Sequence, residues 1–411
     1  MQENLAAQVF HRHFAGYLHD LGYTPEQMLE HVWRPYDLAQ LSMTGEGRDT
    51  DLSKLALTVD DLRASLGESH PSDRMAGSVF YNNHKIIMVV VPGFTHETLR
   101  NLSLHEEMER EDSPHDVWML TPGEPGQPSI ETQYAQGGGF KLVYAKYPRS
   151  NAASQHINKP LFDLLHNSES LRRWVNEEGY KLVFMGYSYG CPLTLELLAD
   201  MNAGRVQDEF ILQNTLGFLA LCGAIGGSYL ADDVVKENSK LVSIPKLVAL
   251  CRKYPWIGKI VGLPTQQFKD DMLDGVTSLT RPVRQEQMKM YGPDLPAHVK
   301  YFSIAAVMPM ADYKRKWWQF NFDDYSMYLQ AKLSEPFSIY NDGQVVLEDN
   351  LIPQVSHIPS SHIFHLGAVR THHWGVSYRT FNFGRNKFPR RAFYKALMQT
   401  LHDLGIQNRP L

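Results

Sequence analysis

Apolar positions along the chain follow two patterns, and these alternate through most of its length. Short, largely apolar runs predict strands; they are "IIMVVV", "KLVYAKYP", "YKLVFMG", "GFLALCG" and "VKYFSIAAVM". The first is continuously apolar and β-branched, which predicts a central strand covered on both faces. Segments with an apolar residue at every third or fourth position predict helices between them. Examples are "PLFDLLHNSESLRRWVNEEG", expected as a single helix ending at Gly179, and "CPLTLELLADMNAG". The alternation predicts an α/β protein with a mostly parallel central sheet and helices on both faces.

Residues 1–75 carry the helical pattern alone and predict a helical N-terminal extension. Helix starts are indicated by "TPEQ" and "TVDD", in which threonine can cap a helix while Gln or Asp three residues later closes a capping box. Residues 76–411 are expected to form the α/β domain. Insertions are expected at about 228–297, where the pattern is mixed and helical, and at about 310–335, which is rich in aromatic residues.

Composition narrows the class of protein further. The 411 residues are 43% hydrophobic and 21% charged, which is enough to bury a large core. A net charge of −5 gives no electrostatic reason to expect nucleic acid as a partner. The N-terminus lacks the pattern of a signal peptide and no apolar run is long enough to span a membrane, so we expect a cytoplasmic protein without a transmembrane segment. The oligomeric state is left open.

The three cysteines are Cys191, Cys222 and Cys251. Their odd number, their apolar surroundings and the absence of a zinc or CxxC spacing predict reduced, buried thiols. No metal and no organic cofactor is expected.

The most informative short stretch is "GYSYG", residues 186–190, which has the form G-x-S-x-G. It follows a predicted strand and precedes a predicted helix. A nucleophile on such a sharp strand-to-helix turn has an unfavourable backbone conformation, and the two glycines leave room for the neighbouring strand and helix. Ser188 is therefore a candidate nucleophile, although a serine in an ordinary turn would have the same neighbours.

With this motif the chain resembles the α/β-hydrolase superfamily, and within it the serine esterases and lipases. The resemblance covers roughly residues 80–400 and rests on "VVVPGFT", "GYSYG", "NDGQVV" and "THHWG" in that order. It implies the α/β-hydrolase fold, with the two insertions as cap or lid elements. It also implies a triad in the chain order serine, acid, histidine.

The resemblance implies a catalytic base in the loop after the last strand. "GAVRTHHWG" offers His373, which directly precedes Trp374, and His372 as the alternative. His362 and His365 would lie before or on that strand and are expected to have structural hydrogen bonds.

The triad acid is expected at Asp342, in the D-G-x-V turn that would end a strand formed by "FSIYNDG". An Asp-Gly pair is also a common hairpin turn, so other carboxylates stay open. They are Asp312, Glu348 and Asp349. The separation along the chain between the predicted strand "VKYFSIAAVM" and Asp342 implies an insertion of about thirty residues.

Two backbone N–H groups are expected to bind the developing oxyanion. The resemblance implies that these N–H groups are those of Tyr189, directly after the nucleophile, and of Phe94, in the loop after "IIMVVV". Members of the superfamily carry His-Gly there, whereas this chain has Pro92-Gly93; the donor is a backbone N–H, so Phe94 can still supply it. The Tyr189 side chain is expected at most to line the cleft.

Four side chains are candidates for substrate binding: Tyr187, Thr95, Trp317 and Trp318. The aromatic segment that carries the two tryptophans is expected to be a lid or an acyl-binding wall, or alternatively an ordinary packing helix. "GAIGGSYLADD" resembles a turn that borders the substrate cleft in lipases.

Together these features predict hydrolysis of a small-molecule or lipid ester through an acyl-enzyme on Ser188. An acyltransferase, a thioesterase or an amidase would use the same triad. A hydrolase-like binding protein without catalysis is the alternative from another class.

Overall fold

A computed structural model describes most of the chain. The described residues are 4–36, 52–68, 85–94, 116–121, 124–128, 140–236, 266–313, 322–377 and 388–408.

A single mixed sheet organises the described chain. Its strands are β1 (Ile86–Val91), β2 (Asp116–Thr121), β3 (Glu124–Pro128), β4 (Phe140–Ala145), β5 (Lys181–Tyr187), β6 (Thr215–Leu221), β7 (Lys300–Ala306) and β8 (Ile363–Val369). The strand order is β3-β2-β4-β1-β5-β6-β7-β8. Every neighbouring pair is parallel except β2 with β3. The predicted mostly parallel sheet is therefore confirmed.

Helices precede β1, lie in the connections from β4 to β8 and follow β8. They are α1 (Leu5–Asp20), α2 (Pro25–Met28), α3 (Val59–Glu68), α4 (Ser154–His166), α5 (Glu169–Asn176), α6 (Gly190–Asn202), α7 (Tyr229–Val234), α8 (Gln266–Ser278), α9 (Arg281–Tyr291), α10 (Met310–Tyr313), α11 (Phe322–Ser334), α12 (Leu347–Asn350) and α13 (Arg390–Asp403). Both predicted capping boxes are present, at Thr24 with Gln27 and at Thr58 with Asp61.

Strand β1 is buried on both faces, as its continuous apolar pattern predicts. In β1, Met88 and Val90 belong to a core shared with α1 and α13, whereas Ile87 and Val89 belong to a core shared with α4 and α6. Successive strand residues point to opposite faces of a sheet, so a strand between two cores needs apolar residues at every position.

The N-terminal helix packs on the last elements of the chain. Phe10 and Phe14 of α1 contact Phe393 of α13 with ring centroids 5.9 and 6.0 Å apart. After α2, Val32 forms a β-bridge with Val369 at the end of β8. These residues thus share the core of the sheet, while the domain boundary near residue 75 stays a prediction.

Two expectations for local structure are wrong. The segment expected as one helix ending at Gly179 is two helices, α4 and α5. The Ser168 hydroxyl accepts the N–H of Leu171 and so caps the start of the second helix. The segment before Asp342 is not a strand; residues 341 and 346 form only an isolated bridge. Since β7 and β8 pair directly with each other, the sheet has no place for a strand between them.

Candidate active site

The chain turns sharply at Ser188, between the end of β5 and the start of α6. Ser188 has a φ of 53°, in the left-handed region that a residue with a side chain rarely adopts. Its N–H donates to the Leu221 carbonyl at 3.1 Å, and its carbonyl accepts the N–H of Cys191 and of Ala224, each at 3.1 Å. These bonds hold the strained turn, which leaves the side chain partly exposed.

Both glycines of "GYSYG" are required by close backbone contacts. A Cβ at Gly186 would lie 2.7 Å from Cys191 Cα, and a Cβ at Gly190 would lie 2.0 Å from the Val91 carbonyl oxygen. The glycines therefore permit helix α6 to start directly against β1 and β5, as the sequence pattern indicates.

The structure brings Ser188, His373 and Asp342 into one chain of hydrogen bonds. His373 Nε2 lies 2.9 Å from Ser188 Oγ, and His373 Nδ1 lies 2.7 Å from Asp342 Oδ2. The backbone N–H of His373 also donates to the Asp342 carbonyl at 2.7 Å. Asp342 and His373 are buried, whereas Ser188 is partly exposed. A carboxylate on Nδ1 keeps the proton there, so Nε2 can accept the serine proton.

The loop around Asp342 aims its carboxylate. Asp342 Oδ1 accepts the backbone N–H of Gln344 at 2.9 Å and that of Val345 at 2.7 Å. Gly343 supplies the φ of 99° that this tight turn needs. With Oδ1 held by two amides, Oδ2 is directed to His373.

The turn that carries His373 is held from two further elements. The Tyr187 hydroxyl, at the end of β5, donates to the His373 carbonyl at 3.0 Å, and the two rings lie 5.2 Å apart. Arg390, at the start of α13, donates from Nη1 to the Gly375 carbonyl at 3.2 Å. Sequence reasoning missed the contact of Tyr187 with the histidine; its role in substrate binding stays a prediction.

The alternative histidines have other partners. His372 Nε2 lies 3.2 Å from Asp324 Oδ1 on α11, and so its ring points away from Ser188. His362 and His365 have the expected structural hydrogen bonds, His362 to the Ala297 carbonyl and His365 to the Ser303 hydroxyl.

Of the alternative carboxylates, Asp349 has a partner other than the histidine. Asp349 Oδ2 accepts a hydrogen bond from Arg281 Nε at 2.7 Å, and burial raises the pKa of Asp349 from 3.8 to about 6 despite that cation. Burial likewise raises the pKa of Glu348. The Asp312 side chain lies outside the described part of the structure.

The loop after β1 lies directly over the serine. A Cβ at Gly93 would lie 3.0 Å from Ser188 Cβ, so the backbone from Pro92 to Phe94 passes beside the nucleophile candidate. The Tyr147 hydroxyl donates to the Pro92 carbonyl at 2.7 Å and fixes this loop. Among the described residues, neither the Phe94 amide nor the Tyr189 amide donates to another group.

The Tyr189 side chain does not line the cleft, contrary to expectation. It is buried, and its hydroxyl shares a hydrogen bond with Ser278 Oγ at 2.6 Å and donates to the Ala152 carbonyl at 3.2 Å. Burial raises its pKa well above the ordinary value, so the phenol stays neutral. Tyr189 is an anchor that fixes the start of α6.

The two cysteines that the structure describes lack the exposure and the lowered pKa of a nucleophilic thiol. Cys191 and Cys222 are buried thiols, as predicted. Burial raises the pKa of both, and the nearby Asp342 carboxylate raises that of Cys222 further. Cys251 lies outside the described residues, as do the substrate-binding candidates Thr95, Trp317 and Trp318.

The sheet order, the serine turn after β5 and the helices on both faces define the α/β-hydrolase fold, which confirms the resemblance at the level of the fold. A metagenomic carboxyl esterase, MGS0156, has a similar structure at 17% sequence identity and a TM-score of 0.52, over 79% of this chain and 77% of that chain. The mature lipase BlEst2 of Bacillus licheniformis is 14% identical with a TM-score of 0.40, over 71% of this chain and 85% of that chain. No family model and no curated protein matches the sequence.

The described residues contain neither a candidate metal site nor a candidate membrane-spanning helix. No group of three or more His, Cys, Asp or Glu side chains there could hold a metal ion. In the same part of the chain, no helix has the length and apolarity that crossing a bilayer requires.

Proposed function

We propose that the protein is a serine hydrolase that cleaves the carboxylic esters of small molecules or lipids. One observation carries the proposal: the continuous hydrogen bonding from Asp342 through His373 to Ser188, at a strained turn where the serine alone is partly exposed. A serine hydroxyl is a weak nucleophile until a base removes its proton, and here a base lies within reach. The geometry of the site, rather than the fold, therefore favours an enzyme over a binding protein.

In the first half of the reaction, Ser188 Oγ attacks the acyl carbonyl carbon while His373 Nε2 takes the serine proton. Asp342 stabilises the imidazolium that forms and keeps its tautomer fixed. When the tetrahedral intermediate collapses, its C–O bond to the alcohol breaks and Nε2 returns the proton to the leaving alkoxide. The products of this half are the free alcohol and an acyl-enzyme ester on Ser188.

The oxyanion of that intermediate needs donors that are already in place. We assign this role to the backbone N–H groups of Tyr189 and Phe94, because Gly93 and Tyr189 flank Ser188 closely. The start of α6 adds the positive end of its helix dipole. Loss of one such donor typically lowers kcat by about 10²- to 10³-fold.

In the second half, a water molecule replaces the alcohol. His373 Nε2 removes a proton from the water, which attacks the acyl carbon, and the same proton is then given to Ser188 Oγ as the acid leaves. The same residues would perform acyl transfer if a second alcohol entered in place of water, and thioester or amide cleavage if the leaving group differed.

A fluorophosphonate probe, which reacts with activated serines, tests the nucleophile. We expect labelling of the wild type and of Ser360→Ala, a control at an exposed serine, and none of Ser188→Ala. Labelling that persists in Ser188→Ala would mean that another residue is the nucleophile. A wild type that takes no probe would favour the binding protein.

The substrate class is tested with p-nitrophenyl esters from acetate to palmitate. Trp317 and Trp318 are proposed, with Tyr187 and Thr95, to contact the acyl chain. We expect kcat/KM to rise with chain length over part of the series. A sharp preference for acetate would count against an aromatic acyl wall.

A further inference from the structure

Helix α11 lies in the insertion between β7 and the acid loop, and it contacts both loops of the site. We propose that Asp324 of α11 is a positioning residue for His373 and acts on it through His372. The proposal rests on the proposed function, since it concerns the same histidine. It gives this helix of the insertion a structural task in the site in place of the expected lid.

The tautomer of His372 follows from its two partners. The backbone N–H of Gly375 donates to His372 Nδ1 at 3.0 Å, so Nδ1 carries a lone pair and the ring proton is on Nε2. Nε2 lies 3.2 Å from Asp324 Oδ1 and donates to it. The side chains of His372 and Asp324 are only 3% and 15% exposed, so water competes weakly for this hydrogen bond.

The His372 ring closes the turn in which the base sits. The N–H of Gly375 is shared between His372 Nδ1 and the His372 carbonyl, the latter at 2.8 Å. His373 lies inside this turn, between the two groups that the bonds connect. A fixed His372 ring therefore limits the rotation of the turn, and Asp324 fixes the ring.

The same helix reaches the acid loop. Gln344 Nε2 donates to Gln330 Oε1 at 3.2 Å, and a Cβ at Gly343 would lie 3.1 Å from the Met327 carbonyl oxygen. Met327 also belongs to the apolar cluster against which Trp374 packs. One helix thus contacts the residues directly after Asp342 and those on both sides of His373.

Such support has a physical purpose in this chain. The acid and the base stand on separate loops, and residues 307–341 separate Asp342 from the end of β7. Misplacement of a reacting group by about 1 Å can cost about 10²-fold in rate. Helix α11 couples the two loops, and it cannot move away as a lid without breaking its bonds to both.

The test compares kcat and KM of Asp324→Ala, Asp324→Asn and Lys332→Ala, the last a control at an exposed position of the same helix. We expect Asp324→Ala to lower kcat by roughly 10- to 100-fold with KM unchanged. Asn keeps an acceptor oxygen, so Asp324→Asn should retain kcat within about threefold of the wild type, and Lys332→Ala should equal it. Rates are normalised to folded protein by circular dichroism.

A double-mutant cycle tests whether the effect passes through His372. If it does, adding Asp324→Ala to His372→Ala changes kcat no further, because the contact is already absent. Additive losses would overturn the proposal, and so would an unchanged kcat in folded Asp324→Ala.

A second readout does not depend on activity. The His373 Nδ1 proton, bonded to Asp342, should give a downfield proton NMR signal that is sharp in the wild type and in Lys332→Ala. We expect it to broaden or vanish in Asp324→Ala. A wild type that hydrolyses no ester would refute the proposed function alone. An unchanged NMR signal in Asp324→Ala would overturn the positioning role of Asp324.

Discussion

Replacing Asp342 by asparagine removes one charge and keeps the shape of the side chain. The surrounding backbone amides determine the orientation of the new amide group. The N–H groups of Gln344 and Val345 point at Oδ1 from 2.9 and 2.7 Å. An asparagine must place its carbonyl oxygen there, because an NH₂ group would face two donors. Its NH₂ group then occupies the position of Oδ2, opposite His373.

This orientation forces the wrong tautomer on the histidine. The asparagine NH₂ donates to His373 Nδ1, so the ring proton moves to Nε2, which lies 2.9 Å from Ser188 Oγ. A protonated Nε2 cannot accept the serine proton. Triads that lose their acid in this way lose about 10⁴ in kcat, which corresponds to about 5.5 kcal/mol of transition-state stabilisation at 1.36 kcal/mol per factor of ten.

The assay is the turnover of the best p-nitrophenyl ester, together with the rate of fluorophosphonate labelling. Asp349→Asn serves as the matched control, because Asp349 lies in the same region of the chain and has Arg281 as its partner. Thermal unfolding of each variant establishes that the rates compare folded proteins. We expect a loss of about 10⁴-fold for Asp342→Asn and no more than a few-fold for the control.

A well-folded Asp342→Asn variant within about tenfold of the wild type would refute the reasoning, since the tautomer argument allows no such activity. If Asp349→Asn were instead the inactive variant, the acid would be the carboxylate that pairs with Arg281, and the position of Asp342 beside His373 would have a structural purpose only.

Three further predictions concern stability. Gly190→Ala should prevent stable folding, because its Cβ would lie 2.0 Å from the Val91 carbonyl oxygen; a variant that melts within a few degrees of the wild type would contradict this. Glu196→Ala should lower the free energy of unfolding in urea by about 3–5 kcal/mol, because it leaves the buried Arg284 without its carboxylate partner; a loss below about 1 kcal/mol would count against it. Burial raises the pKa of Asp349 from 3.8 to about 6, so the folded state binds the extra proton. The contribution of Asp349 to the free energy of unfolding is thus full below about pH 4 and is lost as the pH rises through 6, by up to about 3 kcal/mol. Asp349→Asn should remove this pH dependence, and an unchanged slope of the free energy of unfolding against pH would refute the prediction.

Much of the fold and the position of the site could be predicted from local sequence. The strands are continuous apolar runs because both of their faces are buried, and Ser188 stands out because its turn tolerates only glycine at Gly186 and Gly190. Asp342 and His373 came from the order of a known family rather than from their own surroundings. Asp342 is marked by its D-G-x-V turn and His373 by the Trp374 that follows it, but both signals are specific only through that resemblance.

What could not be predicted depends on contacts between distant segments. Tyr147 hydrogen-bonds the carbonyl of Pro92, and Tyr189 anchors α6 rather than lining the cleft, yet no local pattern distinguishes these tyrosines from others. The segment before Asp342 has strand-like composition, but whether it joins the sheet depends on the direct pairing of β7 with β8. The link from Asp324 to His372 crosses 48 positions and has no signature in the sequence.

The packing of α1 on α13 has a consequence for how the protein is made. His13 bonds Asp403, and the two residues are 390 positions apart in the chain. At ribosomal speeds of about 5–20 residues per second, the apolar side of α1 is synthesised roughly 20–80 seconds before its partner helix exists. During that time Phe10 and Phe14 lack Phe393, which their rings contact in the folded protein. Helix α1 can therefore complete its native packing only after Arg390–Asp403 has left the ribosome.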